Sequence, residues 1–199
     1  MSAKQYDRIE LLDTAIELFR RNGYSDTSTA DLVEALGVNR KSMYAEFGSK
    51  QGLFEAALER YDQHHLSGVL APIEAADAGA DAIRTAFAGY ADASEGWASG
   101  RGCLMCNTAV ERAALDPGAR RFVDAYLARV EAAFRHALDN ANEAGEVDPS
   151  ADLDELAAFF TMSLVGVSAA IRAQVPPAQL HAACRVVTSL LDARVEADA

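Results

Sequence analysis

Between Ser28 and Tyr44 two stretches of helical period meet across one glycine, and this constrains the fold more than any other feature of the chain. Ser28-Thr29-Ala30-Asp31 reads as an acidic variant of the capping box, in which a hydroxyl and a carboxylate satisfy orphan backbone donors at a helix start. The helix it opens runs through Leu32, Val33 and Leu36 to Gly37, a residue suited to the left-handed conformation that ends helices. Asn39 can cap a second short helix, Arg40 to Phe47, which Gly48-Ser49 breaks. Val38, Met43 and Phe47 turn to one side of it, while Arg40, Lys41 and Tyr44 share the other. Two such helices, locked by apolar residues across a glycine turn, form a helix-turn-helix.

A major groove admits the second helix of such a pair. Arginine donates two hydrogen bonds to a guanine edge, while lysine, serine and tyrosine reach phosphates. Helix N-termini carry free N–H groups that suit phosphate, which adds Ser28, Thr29 and Lys50 to Asn39, Arg40, Lys41, Ser42 and Tyr44 as candidate DNA contacts.

The helical period dominates the rest of the chain, and no stretch alternates like a strand. Ile9, Leu12, Ile16 and Phe19 fall at helical spacing up to Gly23, and a helix from Lys50 to about His65 carries Leu53, Phe54, Ala57 and Leu58. Pro72, Gly100-Arg101-Gly102, Asp116-Pro117-Gly118, Val147 to Ser150 and Pro176-Pro177 punctuate the longer helices that follow. The expectation is an all-α chain of about nine helices, and its abundant alanine, the best helix former, agrees.

A net charge of −12 argues at first sight against a nucleic-acid partner. Its distribution answers the objection. Residues 1–52 carry seven Lys/Arg, including all three lysines (Lys4, Lys41 and Lys50), against eight Asp/Glu, which leaves −11 to residues 53–199. A near-neutral head with a local basic cluster can bind DNA, with strong salt sensitivity and little non-specific affinity.

The N-terminus enters a charged helical pattern with no apolar run of the secretory kind. The three cysteines do not resemble a secreted disulfide framework. The longest apolar run, Leu156 to Ile171, is interrupted by Thr161, Ser163 and Ser168 and falls short of the roughly 20 residues that span a bilayer. A buried helix and a cytoplasmic location are expected.

The run Phe19, Gly23-Tyr24, Thr27-Ser28, Leu32-Val33, Leu36-Gly37-Val38, Met43-Tyr44, Phe47-Gly48-Ser49-Lys50, Leu53-Phe54 resembles the N-terminal signature of the TetR family of bacterial regulators. The resemblance is dense over the first 50 residues or so, and the length matches as well. It implies that the positions of Tyr44 and Lys50 contact phosphate and that Arg40, Lys41 and Ser42 face bases or backbone. Arg40-Lys41 is more basic than the small residues common there, a departure that bears on which base pairs are read. The resemblance also implies a DNA-binding domain over residues 1–52 and a ligand-binding and dimerisation domain over 53–199.

The helix from Asp152 to Ala173 is apolar on nearly all sides and so requires burial on two faces. Family resemblance pairs it with the last helix across a dimer interface. Phe160, Leu164, Val167, Ile171, Ala183, Val187 and Leu190 are the candidates. Phe87, Trp97, Met105, Phe122, Tyr126 and Phe134 are candidate effector contacts, set against ordinary core packing; Trp97, in a loop with glycine and serine, is the least core-like. A dimer presents two recognition helices and so reads a palindromic operator. Release by an unidentified small-molecule effector, with repression as the commoner mode in the family, completes the expectation.

Cys103 and Cys106 allow a second reading, a thiol-based redox or electrophile sensor on the same scaffold, since a thiolate near a helix N-terminus has a lowered pKa. A free cysteine is also an ordinary small buried hydrophobe. His181 and Cys184 would complete a zinc set only if the fold brought all four together, and no metal or cofactor is expected. No phosphate-binding glycine loop, HExxH motif or nucleophile elbow marks an enzyme. A helical small-molecule carrier stays as the remote alternative beside an enzyme.

Overall fold

A computed structural model describes residues 7–192, which leaves Lys4 outside the described part. Among the described residues there is no strand; ten α-helical segments follow one another, with a π-helical turn (Tyr61–Leu66) and a closing 3-10 turn (Ser189–Leu191). The segments are α1 Arg8–Asn22, α2 Thr29–Leu36, α3 Arg40–Phe47, α4 Lys50–Arg60, α5 Ser67–Glu74, α6 Ala80–Ala93, α7 Leu104–Glu111, α8 Pro117–Glu143, α9 Leu153–Arg172 and α10 Pro177–Thr188. α4 runs on through the π turn into α5, so counting that stretch once gives nine helices among the described residues.

The stretch after Lys50 departs from expectation in two details. The helix opened by Lys50 changes pitch at Tyr61 and continues to Glu74. Pro72 consequently lies inside α5 instead of at a helix end. Its missing N–H forfeits only the bond to the carbonyl of exposed Gly68, and the helix stops two residues later.

The described residues form two compact units, one holding residues 7–66 together with Cys103–Asp124, the other Ser67–Gly102 together with residues 125–192. In the first, Asp7 caps α1 by accepting from the Ile9 N–H, and Gly23 closes it. Phe19, Leu32, Met43, Leu53 and Phe54 are fully buried there, with Phe19 and Phe54 meeting edge to face at 4.9 Å. Each such side chain contributes about 1.5–3 kcal/mol of burial. Ile9, expected in the apolar stripe of α1, is 54% exposed, because the inward face settles on Leu11, Leu12, Ala15, Ile16 and Phe19.

The second unit is centred on three rings. Phe87 from α6, Phe134 from α8 and Phe160 from α9 pack with centroids 5.7 to 5.9 Å apart. α9 is capped by Asp152 and runs for 20 residues, so by length and composition it could cross a membrane, unlike the shorter run expected. Its inward face is nevertheless core. Phe160, Leu164, Val167 and Ile171, expected at a dimer interface, are instead enclosed within the protomer. The apolar residues α9 leaves exposed are Phe159 and Met162, continued by Gly166 and Ala169 at helical spacing. α10 packs on α6 and α9 and exposes Ala183 and Val186, with Val187 half-buried; Leu190, in the 3-10 turn that follows, is exposed.

Candidate nucleic-acid interface

Local chemistry sets the two short helices at the head. The Ser28 hydroxyl accepts from the Asp31 N–H at 3.1 Å and the Asp31 carboxylate accepts from the Ser28 N–H at 2.7 Å, a complete capping box. Gly37 ends α2 in the left-handed region, at φ 63° and ψ 24°, where a side chain would be strained. Asn39 then caps α3, its side-chain oxygen accepting from the Ser42 N–H at 2.8 Å. Leu36, Val38, Met43 and Phe47 are buried around this corner, which fixes the opposite face of α3 outward.

That face carries the expected residues. Arg40 and Lys41 are exposed, and Ser42 and Tyr44 are half-buried. The Tyr44 hydroxyl sits 3.4 Å from the Thr29 hydroxyl and accepts from the Arg40 guanidinium at 3.3 Å. These two bonds hold the phenol below its ordinary range, so Thr29, Arg40 and Tyr44 form one polar group at the junction of α2 and α3. Ser28 and Asn39, also expected at DNA, are exposed residues already engaged as caps.

Lys50 opens α4 beneath a Ser49 cap, and its ammonium lies 4.2 Å from the centroid of the Tyr24 ring. Burial, then the neighbouring Arg112 charge, pulls it below the ordinary lysine value. Arg112 comes from just beyond α7, with its guanidinium carbon 4.3 Å from the same centroid. The adjacent Glu111 accepts from the Tyr24 and Ser25 N–H groups at 3.1 and 2.7 Å. No sequence pattern marked Glu111 and Arg112. Glu111 meets the α1–α2 turn from 87 and 86 residues away, and Arg112 follows it, beyond the reach of any local periodicity.

The remaining expected residues fall in different places. Phe87, Met105, Tyr126 and Phe134 are at most 2% exposed, each within the core of its own unit. Phe122 is half-buried beneath the Arg121 guanidinium at 4.7 Å. Trp97, 54% exposed, borders a groove of about 290 Å³ in the second unit, together with Val69, Pro72, Thr85, Ala86 and Tyr90. Cys103 and Cys106 are both buried. Hydrogen bonding from Cys106 foremost, with the Tyr61 hydroxyl and the Cys106 and Met105 amides, holds the Cys103 thiol at about 6 against the upward pull of burial. Enclosure of both sulfurs leaves the redox reading unfavoured. Among the described residues no three His, Cys, Asp or Glu side chains are grouped to hold a metal ion.

Comparison with known proteins places this geometry. Residues 11–57 match the bacterial regulatory proteins of the tetR family, and residues 79–187 match the tetracyclin repressor-like C-terminal domain. The chain is 31% identical over 166 residues to the uncharacterized HTH-type transcriptional regulator YezE of Bacillus subtilis, covering 83% of this chain and 86% of that one. It is also 31% identical over 170 residues to the HTH-type transcriptional repressor ComR of Escherichia coli, covering 85% and 81%. Among solved structures, a cysteine-substituted TetR family regulator CifR, complexed with 26-base-pair double-strand operator DNA, superimposes with a TM-score of 0.80 at 26% identity, covering 94% of this chain and 98% of that one. The regulatory protein TetR from Rhodobacter sphaeroides shares the fold at a TM-score of 0.79 and 22% identity, covering 91% and 96%. The chain belongs to the TetR family of bacterial transcriptional regulators: it is a helix-turn-helix, DNA-binding protein and not an enzyme.

Proposed function

We propose that this regulator is a dimeric repressor that reads a palindromic operator in the cytoplasm and lets go of it when a small molecule binds. The observation that carries the DNA half of the reading is the two-sidedness of α3: Met43 and Phe47, with Val38 in the turn before them, are buried while Arg40 and Lys41 stand exposed beside Tyr44. Arg40 and Lys41 face bases. Tyr44, Ser42, Thr29 and Lys50 hold phosphates, and the free N–H groups behind Ser28 and Asn39 add to them. Repressor names among the relatives, ComR and BdcR of Escherichia coli, support repression as the mode.

Dimerisation is carried by the exposed stripe of Phe159, Met162, Gly166 and Ala169 on α9 beside Ala183 and Val186 on α10 and Leu190 in the turn after it. Two adjacent apolar stripes bury each other when a second copy is turned about a two-fold axis. The DNA-binding domain remains assigned to residues 1–52, with ligand binding and dimerisation over 53–199.

The effector site is the groove beside Trp97. It has no charged side chain in its lining, has Tyr90 and Trp97 as aromatic walls, and offers the Thr85 hydroxyl as a polar mark. Such a lining suits an uncharged, largely apolar small molecule. Its binding lowers DNA affinity only by favouring one of two conformations.

Selection of bound duplexes from a random pool tests the reading. The expected product is a two-fold symmetric sequence with half-sites about one helical turn apart, or a multiple of that. Compounds that release it should change the fluorescence of Trp97, the only tryptophan in the chain. Recovery of asymmetric sequences, or of none, would reject it.

A further inference from the structure

The corner where α7 ends meets the DNA-binding head at the α1–α2 turn. Glu111 spends both carboxylate oxygens on consecutive N–H groups of the α1–α2 turn, those of Tyr24 and Ser25. Arg112 and Lys50 then converge on the ring of Tyr24, at 4.3 and 4.2 Å from its centroid. The ring is itself fixed against Phe54 at 4.8 Å. Behind it the Asp116 carboxylate accepts from Arg112 at 2.9 Å and from Gln51, the residue after Lys50, at 2.7 Å. The Nε of Arg112 is buried without a hydrogen-bond partner, so the guanidinium is held by the ring and by Asp116.

The arrangement is costly unless it does something. Two cations share the quadrupole of one ring, and their charges repel one another; that repulsion is among the causes that lower the Lys50 pKa. A cation that rests on a ring face keeps its N–H donors for another acceptor, whereas a carboxylate would consume them. Lys50 stands at the N-terminus of α4, where free N–H groups already favour an anion.

We propose that Arg112, Tyr24 and Glu111 are positioning residues for DNA binding: the end of α7 fixes the α1–α2 turn and holds the Lys50 ammonium where a backbone phosphate docks. The inference rests on the assignment of Lys50 to phosphate. It makes the α7–α8 corner a determinant of how tightly the head holds DNA.

A double-mutant cycle on the selected duplex tests it, with affinity measured across roughly 50 to 200 mM salt. Lys50→Met should weaken binding roughly tenfold or more, as for one charge-assisted hydrogen bond. It should also reduce the log–log salt slope by about one. Arg112→Gln should do the same at an unchanged melting temperature, Arg112→Lys should recover most of the loss, and the Arg112→Gln, Lys50→Met double variant should be no worse than Lys50→Met alone. If Arg112→Gln melts early, Tyr24→Leu, which keeps an apolar side chain against Phe54, takes its place in the cycle. Additive losses, or an unchanged slope in the Arg112 or Tyr24 variant while Lys50→Met lowers it, would overturn the positioning role and leave Lys50 at its phosphate. An unchanged slope in Lys50→Met would overturn both.

Discussion

Arg60 grips Asp13 through two parallel hydrogen bonds, of 2.6 and 2.8 Å, which tie α4 to α1 across 47 residues of chain. The arginine bond is the largest of the effects that hold the Asp13 carboxyl below its ordinary value. A carboxyl depressed in the folded state stabilises above its unfolded pKa of about 4 and loses that stabilisation as pH falls through the folded value. Asp13 is 45% exposed, so solvent screening limits the pair to about 1 kcal/mol despite its fork geometry. Asp13→Asn should therefore unfold at lower denaturant near neutral pH, with the gap to the native protein closing below about pH 4. Urea midpoints across that range check this; a gap that widens in acid would reject the sign.

Ser28 has two assigned roles, cap and phosphate neighbour, and they can be separated. Ser28→Ala removes the capping box and should cost about 1 kcal/mol, while Ser28→Asp restores the acceptor and should recover stability yet bind DNA less well, because it adds a negative charge. Chemical unfolding with a parallel binding titration reads both. Equal DNA affinity in the two variants would remove Ser28 from the phosphate set.

Arg40→Ala should weaken operator binding by about 1–3 kcal/mol and relax selectivity at one base pair of each half-site. Tyr44→Phe should weaken all duplexes about equally, since a phosphate contact carries no sequence information. Competition binding with single-base operator variants distinguishes the two patterns. A selective loss in Tyr44→Phe would make Tyr44 a base reader.

Met162→Glu and Val186→Glu place charges on the exposed stripe and should shift the chain toward monomer with little change in melting temperature of the protomer. Phe160→Ala, inside the three-ring core, should instead cost roughly 3–5 kcal/mol. Sedimentation and thermal unfolding together separate an interface from a core. Dimers that survive both glutamates would move the interface elsewhere.

Native Cys103 and Cys106 should alkylate slowly, because both are buried. Thiol counting with and without denaturant checks this, and Cys103→Ser with Cys106→Ser should bind the same DNA as the native chain. Rapid modification that releases DNA would revive a thiol switch.

What could be read from the sequence was what neighbouring residues decide among themselves. The Ser28–Asp31 box and the Asn39 cap act over three residues, and the inward pair of α3, Met43 and Phe47, acts over one helix. Where a helix is apolar all round, periodicity loses its phase: α9 offered Phe160, Leu164, Val167 and Ile171 as readily as Phe159 and Met162, and only packing against α6 and α8 chose between them. Pro72 misled for the reverse reason. Proline is read as a helix end, yet near the last turn it forfeits a single exposed bond. Glu111 and Arg112 could not be found at all from spacing, because their partners at Tyr24 and Ser25 are brought to them by tertiary structure alone.

The most direct test of the DNA reading is the sequence preference of the chain with Arg40 and Lys41 both replaced by alanine, measured on the duplex that the native protein selects. Native fold with preference for that duplex abolished is the expected result. A double variant that discriminates as well as the native chain, or a native chain that prefers no duplex even at low salt, would contradict α3 as the element that reads DNA.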